Sequence, residues 1–89
     1  MIHELKTHPQ FFSMIVAGTK TFEVRKDDRD FKLGDELLLK EYTPMGFYGD
    51  GVNDGKYSGR ILHRRIDYIL KGGQFGIEKG YAVLAISSL

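Results

Sequence analysis

The amino-acid sequence predicts an α+β fold with a curled sheet or small barrel. One helical pattern follows the first strand candidate, and four or more strand candidates follow the helix. Strands arranged in this way must pair with partners that are distant in the chain. The 89 residues are expected to form one domain, residues 1–89, because compact domains usually contain about 100 residues.

The N-terminal part predicts a short strand and then a helix. Residues 2–6 form the strand candidate, and Thr7 or His8 can cap the helix. Pro9 suits the first helical position because no amide hydrogen bond is lost there, and Gly18 suits the left-handed residue after a helix. Helical spacing of apolar residues predicts one apolar face, formed by Phe11, Phe12, Ile15 and Val16.

Two strand candidates follow the helix. Residues 21–26 alternate between two sides, which predicts a half-buried strand. Phe22 and Val24 form its apolar side. The polar side is formed by Thr21, Glu23 and Arg25. A turn at residues 32–35 leads into residues 36–42, whose consecutive leucines predict a strand covered on both sides.

The second half of the chain predicts a long loop and two further strands. Residues 43–59 contain five glycines, one proline and three aromatic residues, so they are expected to form a long glycine-rich loop of the functional or disordered kind. Residues 60–70 alternate again, and residues 71–80 predict a glycine-rich connection with one helical turn. Residues 81–87 predict a buried strand. One side of the strand at 60–70 is expected to carry Leu62, Ile66, Tyr68 and Leu70.

Composition excludes several classes of protein. The chain is 42% hydrophobic and 28% charged, with no apolar run near the roughly 20 residues of a membrane helix. The N-terminus lacks the pattern of a secretory signal, so a cytoplasmic location and no membrane partner are expected. The absence of cysteine excludes thiol catalysis and cysteine-based zinc sites. No cofactor or metal site is predicted, because His3, His8 and His63 lack ligand spacing.

The charged row in "GTKTFEVRK" has two interpretations. It is either a solvated strand face or a row of ligand-binding side chains. In the second case Lys20 and Arg25 would hold a phosphate or a carbonyl of the ligand, with Thr21 beside them. Glu23 would accept a hydrogen bond from an amine or ring nitrogen of a nucleobase-like ligand. Gly18, which ends a helix two residues before Lys20, favours the second interpretation.

Two other groups are candidates for nucleic-acid contact. The net charge of +1 is too small to attract a phosphate polymer strongly, so any such contact must be local. Arg64 and Arg65, in a cluster with Arg60 and His63, either track a phosphodiester backbone or protect an edge strand from aggregation. The loop aromatics either stack on bases or close the barrel end; they are Phe47, Tyr48 and Tyr57.

The sequence also resembles the ASCH domains, a branch of the superfamily with the PUA-like fold. The motif of that family is glycine, any residue, lysine, two residues, glutamate, one residue and arginine. "RKDDRDF", "YSGRILHRRIDYIL" and "GYAVLAI" extend the similarity to a small bacterial and phage branch of unassigned function. The motif is met by Gly18, Lys20, Glu23 and Arg25, followed by the turn at Gly34 and Asp35.

The resemblance implies a PUA-like pseudo-barrel of about five or six strands with a helix beside a cleft, and binding of RNA or a modified nucleotide. Some ASCH proteins are amidohydrolases that act on acylated cytidine with a lysine, a threonine and a distant glutamate. Lys20 matches that lysine, Glu23 stands at the threonine position, and Thr21 lies two residues before it. Glu78 is the late glutamate of this chain.

The sequence therefore leaves three functions as expectations. The first is a small module that binds RNA or a nucleotide-like small molecule, as a monomer or weak dimer. The second is a hydrolase acting on a modified nucleoside or RNA, with Lys20 and Glu23 as its catalytic residues. The third is a phage or bacterial accessory protein that contacts an unknown protein partner through residues 44–57.

Overall fold

The computed structural model describes residues 1–44 and 55–89 and has an α+β architecture. Five strands form one sheet in the order β1-β3-β4-β5-β2, and this sheet curls into a half-barrel beside one short helix. The predicted fold class is confirmed at this level. The elements are β1 Ile2–Thr7, α1 Pro9–Val16, β2 Phe22–Lys26, β3 Glu36–Thr43, β4 Lys56–Lys71 and β5 Tyr81–Ser88.

The two borders of the sheet are β1 and β2. β1 pairs in parallel with β3, from Ile2 opposite Glu36 to Thr7 opposite Glu41, and the other pairings are antiparallel. Because β1 and β2 lie at opposite ends of the strand order, no backbone ladder joins them. We call the gap between these two border strands the seam.

The concave side of the half-barrel holds the apolar core. Leu37, Leu39 and Leu84 are fully buried, and burial of each such side chain favours folding by about 2 kcal/mol. Alternate residues of each strand reach this side, as the period of two requires. The rest of the core is formed by Leu5, Ile15, Phe31, Ile66, Ala82 and Ile86.

The helix begins and ends where the sequence predicts. Pro9 occupies its first turn, and Gly18 follows its end with a left-handed φ of 81°, a conformation that glycine adopts without steric cost. Only half of the predicted apolar face is buried: Phe12 and Ile15 pack inward, whereas Phe11 and Val16 are exposed. In the described ranges, no helix is long and apolar enough to cross a lipid bilayer.

The structure corrects three predictions in the second half of the chain. Both ends of the predicted loop at 43–59 belong to strands, because Thr43 ends β3 and residues 56–59 begin β4, while residues 45–54 lie outside the described residues. A β-bulge between Ile66 and Tyr68 shifts the alternation, so Ile69 packs against the core while Tyr68 is exposed. Residues 72–80 contain turns and one isolated bridge instead of a helical turn.

A buried hydrogen bond joins the start of β1 to the turn before β3. His3 Nε2 donates to Asp35 Oδ2 at 2.8 Å, and the backbone N–H of Lys32 donates to the same oxygen at 3.1 Å. The His3 hydrogen bond is the main cause that holds the pKa of the Asp35 carboxyl below its ordinary value of 3.8, although burial opposes this shift. The contact therefore favours the charged carboxylate of the folded protein.

This lowered pKa predicts acid sensitivity. Asp35 adds stability that is complete above its ordinary pKa and is lost as the pH falls through its lower folded pKa, because the unfolded state then binds more protons. Urea denaturation between about pH 5 and about pH 2 should show a steeper loss of unfolding free energy in the wild type than in Asp35→Asn. Asp30→Asn, at an exposed position, is the matched control. Equal pH dependence in wild type and Asp35→Asn would contradict the prediction.

Candidate functional site

The polar row of β2 faces the inside of the half-barrel. Glu23 is only 4% exposed, whereas Phe22 and Val24 on the other side are 43% and 52% exposed. The pairing of β2 with β5 causes this orientation, because Glu23 lies opposite Leu84, a fully buried core residue. The alternation within β2 is as predicted, but its apolar side is the outer one. Glu23 is therefore not part of a solvated face.

The Glu23 carboxylate lies between two cations. Lys20 Nζ donates to Glu23 Oε1 at 3.1 Å, and Arg25 Nε donates to Glu23 Oε2 at 2.9 Å. Lys20 Nζ also donates to the backbone oxygen of Phe22 at 2.5 Å. Both carboxylate oxygens are thus in use, so the arrangement fits Glu23 as the residue that positions Lys20 and Arg25. This differs from the expected contact between Glu23 and a donor edge of a ligand.

Two arginines bridge the seam. Arg25 Nη2 donates to Thr7 Oγ1 at 3.2 Å, and Arg29 Nη1 donates to the backbone oxygen of Glu4 at 2.8 Å. Thr7 and Glu4 belong to β1, while Arg25 belongs to β2 and Arg29 follows it. Side chains therefore connect the two borders where backbone pairing does not.

Four neighbouring cavities follow the seam, and together we call them the seam groove. The first, of about 260 Å³, contains Lys20 and shares Phe11 and Glu23 with the second, of about 190 Å³. The second shares Lys6 and Arg25 with the third, of about 330 Å³. The third shares Arg25 and Arg29 with the fourth, of about 160 Å³. Arg25 therefore lines three of the four cavities.

The largest cavity of the groove is strongly cationic. Four of its lining side chains are positive and one is negative; the lining is Glu4, Leu5, Lys6, Arg25, Arg29, Lys40 and Tyr57. Lys40 lies 3.2 Å from Glu4 and also stacks over the Tyr57 ring. Within residues 1–44 and 55–89, neither Lys6 nor Arg29 has a carboxylate partner. The cavity thus offers two cations that are available to an anion.

Comparison with known proteins places the chain in a family. A family model described as "Domain of unknown function (DUF3850)" matches residues 2–86. The chain belongs to the DUF3850 family. It is also similar to a protein of Escherichia phage P2, "Uncharacterized 12.9 kDa protein in GpA 3'region", with 41% identity over 51 residues. That match covers 57% of this chain and 47% of the phage protein, so the chain spans about half the length of this relative.

The predicted basic cluster of this DUF3850 chain does not form one face. Arg64 and Arg65 are neighbours on β4 and point to opposite sides of the sheet, as successive strand residues do. Arg65 contacts Asp67 at 3.3 Å on the outer side. Arg60 lies over the Phe12 ring, and His63 lies 2.6 Å from Glu36. Arg64 and Arg65 therefore do not share a side of β4, and their contact with a phosphodiester backbone stays a prediction.

The other predicted site residues are distributed around the seam groove. Thr21 and Arg64 line a separate cavity of about 250 Å³ on the far side of Lys20. Tyr57 lies in the largest cavity of the groove. Tyr48, like Phe47, lies outside the described residues. Glu78 is exposed in the connection between β4 and β5 and does not line a cavity with Lys20.

Sequence reasoning missed Glu41, a second buried glutamate among the described residues of the DUF3850 chain. Glu41 is buried beside Thr7 in the β1–β3 register, and Ser58 Oγ donates to it at 2.6 Å. The sequence could have indicated this burial, because the two-residue period of a strand places Glu41 on the same side as Leu37 and Leu39. Lys6, Arg29 and Lys40 were also missed, since they meet only through folding. Among the described residues, no cluster of histidine and carboxylate side chains could hold a metal ion.

Proposed function

We propose that the chain binds RNA or a nucleotide-like ligand in the seam groove. The observation that carries this proposal is the largest cavity, of about 330 Å³, in which four cations surround an opening beside Tyr57. Its volume lies near the lower end of the range of small-molecule sites, about 300–1,000 Å³. Phosphate groups bind lysine and arginine, and bases stack on aromatic rings. One cavity supplies both kinds of contact.

The contacts within the groove give each residue a role. Arg25 and Arg29 present planar guanidinium groups that suit phosphate oxygens. Lys6 adds a point charge from β1. Glu23 Oε2 lies 2.9 Å from both Nε and Nη2 of Arg25, and Nη2 also donates to Thr7, so Glu23 fixes the orientation of this guanidinium group at the seam. Tyr57 is half-exposed, and its ring contacts Lys40 Nζ at 5.0 Å and the Tyr42 ring at 4.9 Å, so a base that stacks on it would replace the Lys40 contact.

The same proposal includes the PUA-like relationship. The motif residues Lys20, Glu23 and Arg25 converge on one groove, and the half-barrel with its single helix is consistent with a PUA-like pseudo-barrel. This support is geometric. A solved structure of the chain that superposes on an ASCH domain, with the motif lysines and arginines aligned, would test it.

Titration with short RNA tests the binding function. Fluorescently labelled single-stranded RNA of about eight nucleotides should bind at low salt, and the affinity should fall with salt with a logarithmic slope near −2, since about three phosphate contacts each contribute about 0.7 for single strands. Absence of binding at about 0.05 M salt would refute the proposal.

One observation also favours the hydrolase as a second candidate. Lys20 Nζ lies 3.1 Å from Glu23 Oε1, which is within range for proton transfer. Incubation with acylated cytidines and with RNA oligomers, followed by product analysis, should then show turnover that Lys20→Ala abolishes. Turnover that survives this substitution would exclude the site.

A further inference from the structure

We propose that the ligand of the seam groove is a single strand of nucleic acid that runs along β2, instead of a free nucleotide held only in the largest cavity. This inference rests on the proposed function and specifies its substrate class. It uses the whole groove, from Phe22 at one end to the cavity beside Phe31 at the other. Three properties of the groove support it: its length, the position of its aromatic residues and the order of its charges.

The groove is longer than one nucleotide. β2 has five residues, which extend over about 13 Å from the first Cα to the last at about 3.3 Å per step. A stacked strand advances about 3.4 Å per nucleotide, so the groove has room for about four stacked nucleotides. The four cavities share lining residues at each junction, and only the side-chain bridges of Arg25 and Arg29 described above cross the groove between them.

Aromatic side chains lie at two separate positions along the groove. Phe11 and Phe22 line the first cavity, and both are about two-fifths exposed. Tyr57 lines the third cavity. Stacking contacts favour unpaired bases, because the bases of a duplex are covered by their neighbours. Two stacking positions in one groove favour a ligand with at least two bases.

Cations lie at, between and beyond the aromatic positions. Lys20 Nζ lies 5.4 Å from the Phe11 ring centre and 4.8 Å from the Phe22 ring centre. Arg25 lines the next three cavities, and Arg29 lines the last two. Each cavity therefore has at least one positive side chain. This repetition matches the regular spacing of phosphates along a strand, whereas a free nucleotide carries its phosphates at one position only.

A length series tests the inference. Uridine monophosphate and uridylate oligomers of two, four and six nucleotides are titrated against the wild type at one low salt concentration. Affinity should rise at least tenfold from the monophosphate to the tetramer and little beyond it. Phe22→Ala should weaken tetramer binding at least fivefold and change monophosphate binding less than twofold. The matched control is Phe75→Ala, because Phe75 is 86% exposed and lines no cavity of the groove.

The outcomes separate this inference from the proposed function. A monophosphate that binds as tightly as the tetramer overturns the single strand but leaves nucleotide binding intact. Absence of binding by every member of the series overturns both. A hairpin duplex that binds more tightly than the tetramer, or a glutamate octapeptide that binds equally well, also overturns the inference that the ligand is a single strand. Phe11→Ala provides a second variant with the same expected result if Phe22→Ala does not fold.

Discussion

Replacement of Arg25 with alanine is expected to weaken binding of single-stranded RNA by about 30-fold, because hydrogen bonds to charged groups contribute about 1.5–3 kcal/mol each. Arg25 lines three of the four cavities and is the side chain that reaches Thr7 across the seam. Arg25→Lys keeps the charge but loses the planar fork, so it should recover only part of the affinity. Fluorescence anisotropy at fixed salt measures both variants.

Arg65→Ala is the matched control for this result. Arg65 also contacts a carboxylate, that of Asp67, but lies on the outer side of β4 away from the groove. Its removal changes the net charge by the same amount and should alter RNA affinity less than threefold. Equal losses in the two variants would mean that binding follows overall charge and that the seam groove is not the site. Circular dichroism must first show that Arg25→Ala is folded.

The second large effect concerns stability. Glu23→Ala should lower the free energy of unfolding by about 2 kcal/mol, because removal of one partner from a buried ion pair leaves the other charge without compensation. Lys20 and Arg25 both donate to this carboxylate and are mostly buried. Both retain some exposure to water, so the loss should lie below that of a completely buried pair. Urea denaturation at neutral pH measures it.

Glu4→Ala is the control for this stability change. Glu4 also pairs with a lysine, Lys40 at 3.2 Å, but its side chain is mostly exposed. An exposed pair contributes less than about 1 kcal/mol, so this variant should unfold almost like the wild type. If Glu23→Ala were as stable as Glu4→Ala, Glu23 would not be the residue that holds the two cations in place.

Local patterns predicted most elements but not the side that each strand buries. In β2 the alternation correctly separated Phe22 and Val24 from Glu23 and Arg25. Alternation does not state which side meets the core, and apolar residues usually mark the buried side. Here the pairing of β2 with β5 turns the charged side inward. That fact depends on a contact between residues about 60 apart, which no local window contains.

The remaining differences also come from distant contacts. The bulge after Ile66 lies where the pairing of β4 changes from β3, at residues 56–65, to β5, at residues 64–71, and it reversed the expected side of Tyr68. Lys6, Arg29 and Lys40 line the same cavity only because β1 pairs with β3 in parallel and Arg29 crosses the seam. In contrast, Pro9 and Gly18 set the ends of the helix by their own backbone preferences, and these ends were predicted correctly.

The bridging of β1 and β2 by side chains has a mechanical consequence. The seam can widen if Arg25 rotates away from Thr7 and Arg29 rotates away from the backbone oxygen of Glu4. Such rotations break no backbone hydrogen bond between the five strands, so the sheet need not unfold locally when a ligand enters. Under the proposed binding function, the width of the seam would thus depend on two side-chain contacts and not on the backbone pairing of the sheet.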